Sequence, residues 1–366
     1  MKFSQFGDTQ KLEREVNECI DYLNRLIWSD TYQMQYFIVP KLNLILRSDL
    51  DISLFLDVTK EYRSNKQLLT RVAALLYIFT IAGILRLRLG RFFLKNFLLK
   101  GHDFYPIIIG GNNRLRFIDS SNSNALLIAK NSYSILFTKN AIRAYSSTSF
   151  SDLKIIPEIM SINDRVYFEK QIKGLAINRI AFTKTQNTSV NNALNSFFLR
   201  QKDLTRDIPF NTFLRYKKFI LKYFLIKAGS KTKLDLYKTF VTVCDKAEDD
   251  YKMIDISVCP SHGDLNRGNI FLDQNRVMVI DWEYFMYRYA KYDFIIFSNN
   301  LRHQSLSDYV KFFNENNHSD FNIIVFLIED LFFRILNFKD DVIDSQLHVD
   351  TLIELIYKNL LTFRPN

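Results

Sequence analysis

An aspartate and an asparagine five residues apart stand in His262-Gly263-Asp264-Leu265-Asn266-Arg267-Gly268-Asn269, in the last third of the chain. On a loop entered through His-Gly, Asp264 can aim a carboxylate at a substrate hydroxyl and Asn269 an amide oxygen at a metal ion. The apolar Ile270-Phe271-Leu272, the turn residues Asp273-Gln274-Asn275 and the β-rich Val277-Met278-Val279-Ile280 predict a hairpin. Such a hairpin returns Asp281 to the side of Asn269, where it offers Mg²⁺ a second oxygen. One carboxylate for an attacking hydroxyl and two oxygens for a phosphate-bound metal are parts that phosphoryl transfer requires. Singly, each of these residues is an ordinary turn or capping residue. Their order and spacing between two apolar strands carry the reading.

With Ile280-Asp281-Trp282-Glu283 behind it, this segment resembles the aminoglycoside phosphotransferase and choline kinase superfamily, a branch of the protein-kinase-like fold. The tail Asp281-Trp282-Glu283-Tyr284, followed by Tyr292-Asp293, is most similar to the choline-kinase side. The resemblance implies ATP and Mg²⁺ as cofactors and a small hydroxylated molecule as acceptor. It implies that Asp264 is the catalytic base or hydroxyl-orienting carboxylate and that Asn269 and Asp281 are metal ligands. It also makes Asp293 a brace for the catalytic loop, and His262 fits the same supporting part. The chain departs from the pattern at Asn266-Arg267, where many members have His-Pro.

Upstream, Tyr105 to Ile109, Arg114 to Asp119 and Ala125 to Lys130 read as strands. The turn Gly110-Gly111-Asn112 between the first two can fold over phosphates with its backbone N–H groups, or can be a plain hairpin turn. The resemblance sets Lys130 where a strand cation meets the phosphates. It sets Lys170 to Ile172, after the strand at Val166, against the adenine. Kinase-like folds pair the strand lysine with a glutamate on the next helix. Between Asn131 and Pro157 this chain has no glutamate, and Asp152 is the one carboxylate. A non-catalytic nucleotide-binding pseudokinase or scaffold therefore stands as the second reading.

The expected architecture is α+β and two-lobed, with a helical N-terminal extension over 1–98, a β-rich lobe over 99–174 and a helical lobe over 175–366. Apolar spacing predicts helices at Leu12–Trp28, Met34–Leu46 and Ile52–Tyr62, and later at Phe213–Ala228, Lys233–Met253, Asp308–Phe313, Phe321–Leu336 and Leu352–Phe363. The uncharged run Val72–Leu85 falls short of the ~20 residues a membrane span needs. Arg86, Arg88, Arg91 and Lys95, interleaved with Leu and Phe, could lie on a membrane surface. A helix buried on its neighbours, with the arginines at its rim, is the favoured reading of that segment.

Of 366 residues, 48% are hydrophobic and 24% charged, with 33 Phe and 19 Tyr, which suits filled cores rather than disorder. Cys19, Cys244 and Cys259 are too far apart for a disulfide framework or a zinc site, and the N-terminus lacks a secretory pattern. A cytoplasmic location is expected. The net charge of +10 is open to nucleic acid, anionic lipid or a phosphate-rich substrate; a solvated basic surface is the favoured reading, and nucleic acid is not favoured because no known binding motif accompanies it.

Overall fold

The computed structural model describes residues 9–26, 32–60, 68–101, 105–119, 121, 123–179, 183–273, 276–299, 320–338 and 343–362. The chain is α+β and divides into two compact units. One comprises residues 1–193 and 268–283, the other 194–267 and 284–366.

The first unit opens with α1 (Thr9–Leu26), β1 (Tyr32–Val39), β2 (Leu44–Arg47), α2 (Ile52–Val58), α3 (Leu68–Arg86) and the single turn α4 (Gly90–Phe93). β3 (Asn96–Gly101), β4 (Ile107–Gly110), β5 (Arg114–Ile118), β6 (Asn124–Ala129), α5 (Ser132–Ser146), β7 (Ile159–Ser161) and β8 (Val166–Lys170) follow. All eight strands join one antiparallel sheet in the order β3-β1-β2-β4-β5-β6-β8-β7. α1 lays Leu12, Val16, Cys19, Ile20 and Leu23 on one face of it, against Leu115, Phe117, Leu126 and Ile128. The side chains of Arg114 and Arg116, alternating with Leu115 and Phe117, fall on the opposite face.

The N-terminal segment is therefore not all helical. Helix holds at α1, and the expected Ile52–Tyr62 helix is observed as α2, but Met34–Leu46 forms two strands. Tyr36, Phe37, Ile38 and Val39 are all buried. A run buried on both faces has no periodicity that separates helix from strand. Pro40 starts a short 3₁₀ turn that ends at Asn43, with φ 53°. The expected boundary at 98 cuts β3, and the sheet runs continuously across it.

The same unit regains the chain at Gly268. β12 (Ile270–Asp273) and β13 (Arg276–Val279) form the expected hairpin, Ile270 facing Val279 and Asp273 facing Arg276. β9 (Leu175–Ala176) pairs with the outer side of β12. Gln274 and Asn275, the expected turn tip, lie outside the described residues.

The second unit follows α6 (Lys184–Asp203) with β10 (Arg206–Pro209), α7 (Phe210–Ala228), α8 (Lys231–Tyr251) and β11 (Asp255–Ser261). After the returning segment come β14 (Met286–Tyr289), α9 (Tyr292–Asn299), α10 (Asp320–Leu336) and α11 (Ile343–Thr362). β11 is the middle strand of the order β10-β11-β14. The expected helix Asp308–Phe313 lies outside the described residues. Within the core of this unit, Glu329 takes Lys217 and Arg288 at 2.7 Å each, all three side chains being fully buried. Burial, helped by the charge of Arg288 and opposed by Glu329, pushes the Lys217 ammonium down to about 7. The three cysteines are free and buried.

Candidate active site

β11 delivers the loop that carries Asp264. His262 N–H donates to Asp293 Oδ2 at 2.7 Å, and Gly263 N–H donates to Asp293 Oδ1 at 2.9 Å. Gln201 Nε2 donates to the same Oδ2 at 2.9 Å and to the carbonyl of Pro260 at 3.1 Å. A fully buried carboxylate is thereby satisfied by two backbone amides and a side-chain amide. Gly263 has φ 84°, and a Cβ there would lie 2.6 Å from the Tyr284 carbonyl oxygen and 2.7 Å from Arg288 Nε. Only glycine meets both conditions. Asp264 follows, half-buried, its N–H donating to His262 Nδ1 at 3.2 Å. Asn266 N–H donates to the Asp264 carbonyl at 2.8 Å, and its Nδ2 donates to Asp264 Oδ2 at 3.3 Å. Asn266, where many members of the resembled family have histidine, thus holds one carboxylate oxygen of Asp264. Gln201, absent from the sequence reading, is an unremarkable helical residue until Asp293 is seen beside it.

Within the other unit, the hairpin sets Asn269 beside Ile280, whose N–H donates to the Asn269 carbonyl at 2.9 Å. The hairpin thus closes at Asn269 and Ile280, the residue before Asp281. Asp281 sits at φ 63°, a left-handed conformation that Asp tolerates better than most residues. Such conformations concentrate at functional sites.

Asp281 forms one wall of a cavity of about 260 Å³, together with Gly110, Gly111, Arg114, Glu169, Gln171 and Ile172. A larger cavity of about 500 Å³ lies nearby, lined by Phe150, Lys154, Lys170, Arg276 and Met278, and it shares Gln171 and Ile172. That larger space reaches neither the glycine pair nor Asp281, so the smaller one holds the chemistry-bearing groups.

Four expected contacts come out differently. Lys130 leaves the site: its Nζ donates to Glu15 Oε2 of α1 at 2.7 Å. Along β6, Leu126 and Ile128 face α1, and the same alternation sends Lys130 to that side. The glycine turn is a closed hairpin. Gly110 N–H donates to the Asn43 carbonyl at 2.9 Å, and Gly111 N–H to that of Arg114 at 3.0 Å, so neither is held out for phosphates. Asn112 is exposed and does not line the cavity. Lys170 points to the larger cavity with its side chain 69% exposed, while Ile172 lines both.

The cation facing Asp281 is Arg114. Its Nη2 donates to Asp281 Oδ1, and its Nη1 donates to the Tyr167 hydroxyl at 2.6 Å. Burial works to lower the guanidinium pKa, but Tyr167 and the carboxylates of Asp281, Glu283 and Glu169 outweigh it and hold it well above its ordinary value. Beside it Arg116 pairs with Glu169 at 2.7 Å. The register sets Arg114 opposite Ala129 and Arg116 opposite Leu127, one strand away from the expected lysine. A signal for both lay in the alternation Arg114-Leu115-Arg116-Phe117. α5 connects differently, Asn140 Nδ2 donating to the Glu283 carbonyl at 3.0 Å.

The residues present fit a nucleotide with Mg²⁺. Gln171 Oε1 is buried without a hydrogen-bond partner at the cavity wall, an acceptor matched to an exocyclic amine. Asp281 and Asn269 supply hard oxygen donors. Among the described residues no group of three or more His, Cys, Asp or Glu forms a metal cage. Few protein ligands, completed by phosphate oxygens, is the usual way Mg²⁺ is held.

Residues 238–321 match the phosphotransferase enzyme family. No curated protein matches the chain by sequence. Among solved structures, the ADP-bound aminoglycoside phosphotransferase APH(2'')-Ib is 16% identical, with TM-score 0.40, covering 69% of this chain and 91% of that one. A choline/ethanolamine kinase family protein from Mesorhizobium loti is 13% identical, with TM-score 0.37, over 70% and 87% of the two chains. The Plasmodium vivax ethanolamine kinase is 15% identical, with TM-score 0.40, over 84% and 94%. Over the segment that carries Asp264, Asn269, Asp281 and Asp293, this chain is similar to the phosphotransferase enzyme family.

Proposed function

We propose that this chain is a small-molecule kinase, transferring the γ-phosphoryl group of ATP to a hydroxyl of a small acceptor. The observation that carries the reading is the cavity in which Arg114 and Asp281 meet beneath the glycine hairpin. A buried guanidinium and a half-exposed carboxylate facing one small space suit a polyphosphate and its cation. Asp281 and Asn269 would hold Mg²⁺, which when bound neutralises charge on the phosphates. Arg114 would take a phosphate oxygen in the part first expected of Lys130. Gln171 would accept from the adenine amine, and Ile172 would pack against the ring. Asp264 would orient the acceptor hydroxyl and take its proton, its loop held by Asp293 and His262.

A choline-like amino alcohol, an aminoglycoside and a sugar or saccharide are the acceptor classes the family similarity brings forward. The second reading is a nucleotide-binding pseudokinase or scaffold. It is favoured by one observation, the ion pair through which Arg114 occupies an oxygen of Asp281. Turnover of ATP·Mg²⁺ against a panel of choline, ethanolamine, aminoglycosides and sugars, followed by ³¹P resonance, separates the two. A phosphorylated product that Asp264→Asn abolishes is expected. Tight ATP binding with no product from any acceptor supports the pseudokinase, and no nucleotide binding at all overturns both.

A further inference from the structure

α3 buries only one of its faces. Ile78, Ile81, Ala82 and Leu85 are turned inward, at helical spacing. The opposite stripe, Leu69, Val72, Leu76 and Phe79, is spaced three, four and three residues apart and is exposed, Leu69 at 85% and Leu76 at 66%. A surface helix ordinarily carries polar residues there; one that is apolar all round requires an apolar neighbour on each side. The exposure continues past the helix. Leu87, Phe92, Phe93 and Leu98 are also exposed, each phenylalanine to about two-thirds. The favoured expectation of a buried helix therefore describes one face of α3 and fails for the other.

The charge around this face has one sign. Between Glu61 and Asp103 the sequence contains no acidic residue. Arg71, Arg86 and Arg88 are exposed within the segment. We infer that the outer face of α3, with the turn that follows it, docks in the plane of an anionic lipid surface. Its leucines and phenylalanines would enter the acyl boundary, and the arginines would meet the headgroup phosphates.

Alternative occupants fit less well. A second copy of this chain, seated symmetrically, would bring the arginines of both against each other. A span is not available: among the described residues no helix is long and apolar enough to cross a membrane, and the inner face of α3 is already packed. An acidic protein would answer the charge, but the stripe itself offers only aliphatic and phenyl groups, with no hydrogen-bonding partner for it. The inference is independent of the kinase reading, because it uses none of the cavity residues.

The test is co-sedimentation of the whole protein with vesicles of phosphatidylcholine alone and of phosphatidylcholine mixed with phosphatidylglycerol. Pelleting with the anionic vesicles, weakened by salt, is expected from the native protein. The pair Arg86→Glu and Arg88→Glu should lower partitioning at least about thirtyfold, since each arginine near the surface contributes a several-fold factor. The pair Leu76→Ser and Phe79→Ser should abolish it. Both pairs alter exposed positions, so unchanged melting temperatures are expected and verify that the variants fold. If the serine pair does not fold, the glutamate pair decides alone. Native protein that stays in the supernatant overturns the inference, as does pelleting that the variants do not diminish. Concentration-dependent self-association without vesicle binding, lost in the serine pair, assigns the face to a second copy and overturns it equally.

Discussion

Arg114 donates from Nη2 to Asp281 Oδ1, joining a buried residue of β5 to a residue 167 positions later, at the end of the β12–β13 hairpin. The strand that bears it neighbours the one on which the phosphate-binding cation was expected. Arg114 is 8% exposed as a side chain and Asp281 41%, so the pair is anchored at the arginine end and open at the carboxylate end. A bound cation can therefore reach Asp281 while Arg114 keeps its hydrogen bond to Tyr167.

Replacing this arginine tests its role directly. Arg114→Met should weaken ATP binding by about one to two orders of magnitude, the worth of a charge-assisted hydrogen bond to phosphate. Adenosine, which lacks the phosphates, should bind as before. Lys130→Met should change neither affinity beyond about twofold, its cost falling on stability through its mostly buried pair with Glu15. Calorimetric titration of both ligands into the three proteins decides it. Equal loss of ATP affinity in Lys130→Met would return the phosphate contact to Lys130.

Asp264→Asn keeps the size of the side chain and its contact with Asn266 but removes the charge. Phosphoryl transfer should fall by about two to four decades, the usual scale for losing a general base. ATP affinity should hold. Single-turnover rates with saturating nucleotide measure the first, and titration the second. Turnover at the native rate would take Asp264 out of the chemistry.

Gly263→Ala probes the loop. Its added Cβ meets the Tyr284 carbonyl oxygen at 2.6 Å, and that neighbour is backbone, while φ 84° is adverse for any L side chain. A loss of about 2 kcal/mol or more in urea unfolding is expected, with a larger fall in activity than in ATP binding. A fully stable and active variant would mean that the loop does not hold this conformation.

The Lys217–Glu329–Arg288 cluster makes a pH prediction. In the folded protein Lys217 titrates at about 7, whereas an unfolded lysine titrates near ~10.4. Between those values the unfolded chain binds more protons, so stability from this group rises with pH. Below about 7 both states are protonated and the slope from this residue vanishes. Urea unfolding between about pH 7 and pH 9 should show native stability climbing relative to Lys217→Met, in which that slope is gone. Parallel profiles would mean that Lys217 stays charged across the window.

Much of the candidate site is legible in the amino-acid order because its parts are local. The hairpin from Ile270 to Val279 follows from two apolar runs around turn residues, and it alone brings Asn269 beside Ile280, the residue before Asp281. Gly263 and Asp264 lie on consecutive positions of one loop. The alternation Arg114-Leu115-Arg116-Phe117 likewise states that two arginines share a face of a strand. What the order of residues does not state is which face is covered. α1, about a hundred positions earlier, lies on the side of Leu115, Phe117, Leu126 and Ile128, and that choice alone sends Lys130 to Glu15 and leaves Arg114 to Asp281. The strands β1 and β2 were hidden for a related reason: Tyr36 to Val39 are buried on both faces, and an apolar run without alternation is compatible with either helix or strand until its neighbours are in place. Local spacing determined the loop and the hairpin; long-range packing, by covering one face of the sheet, decided which cation faces the cavity.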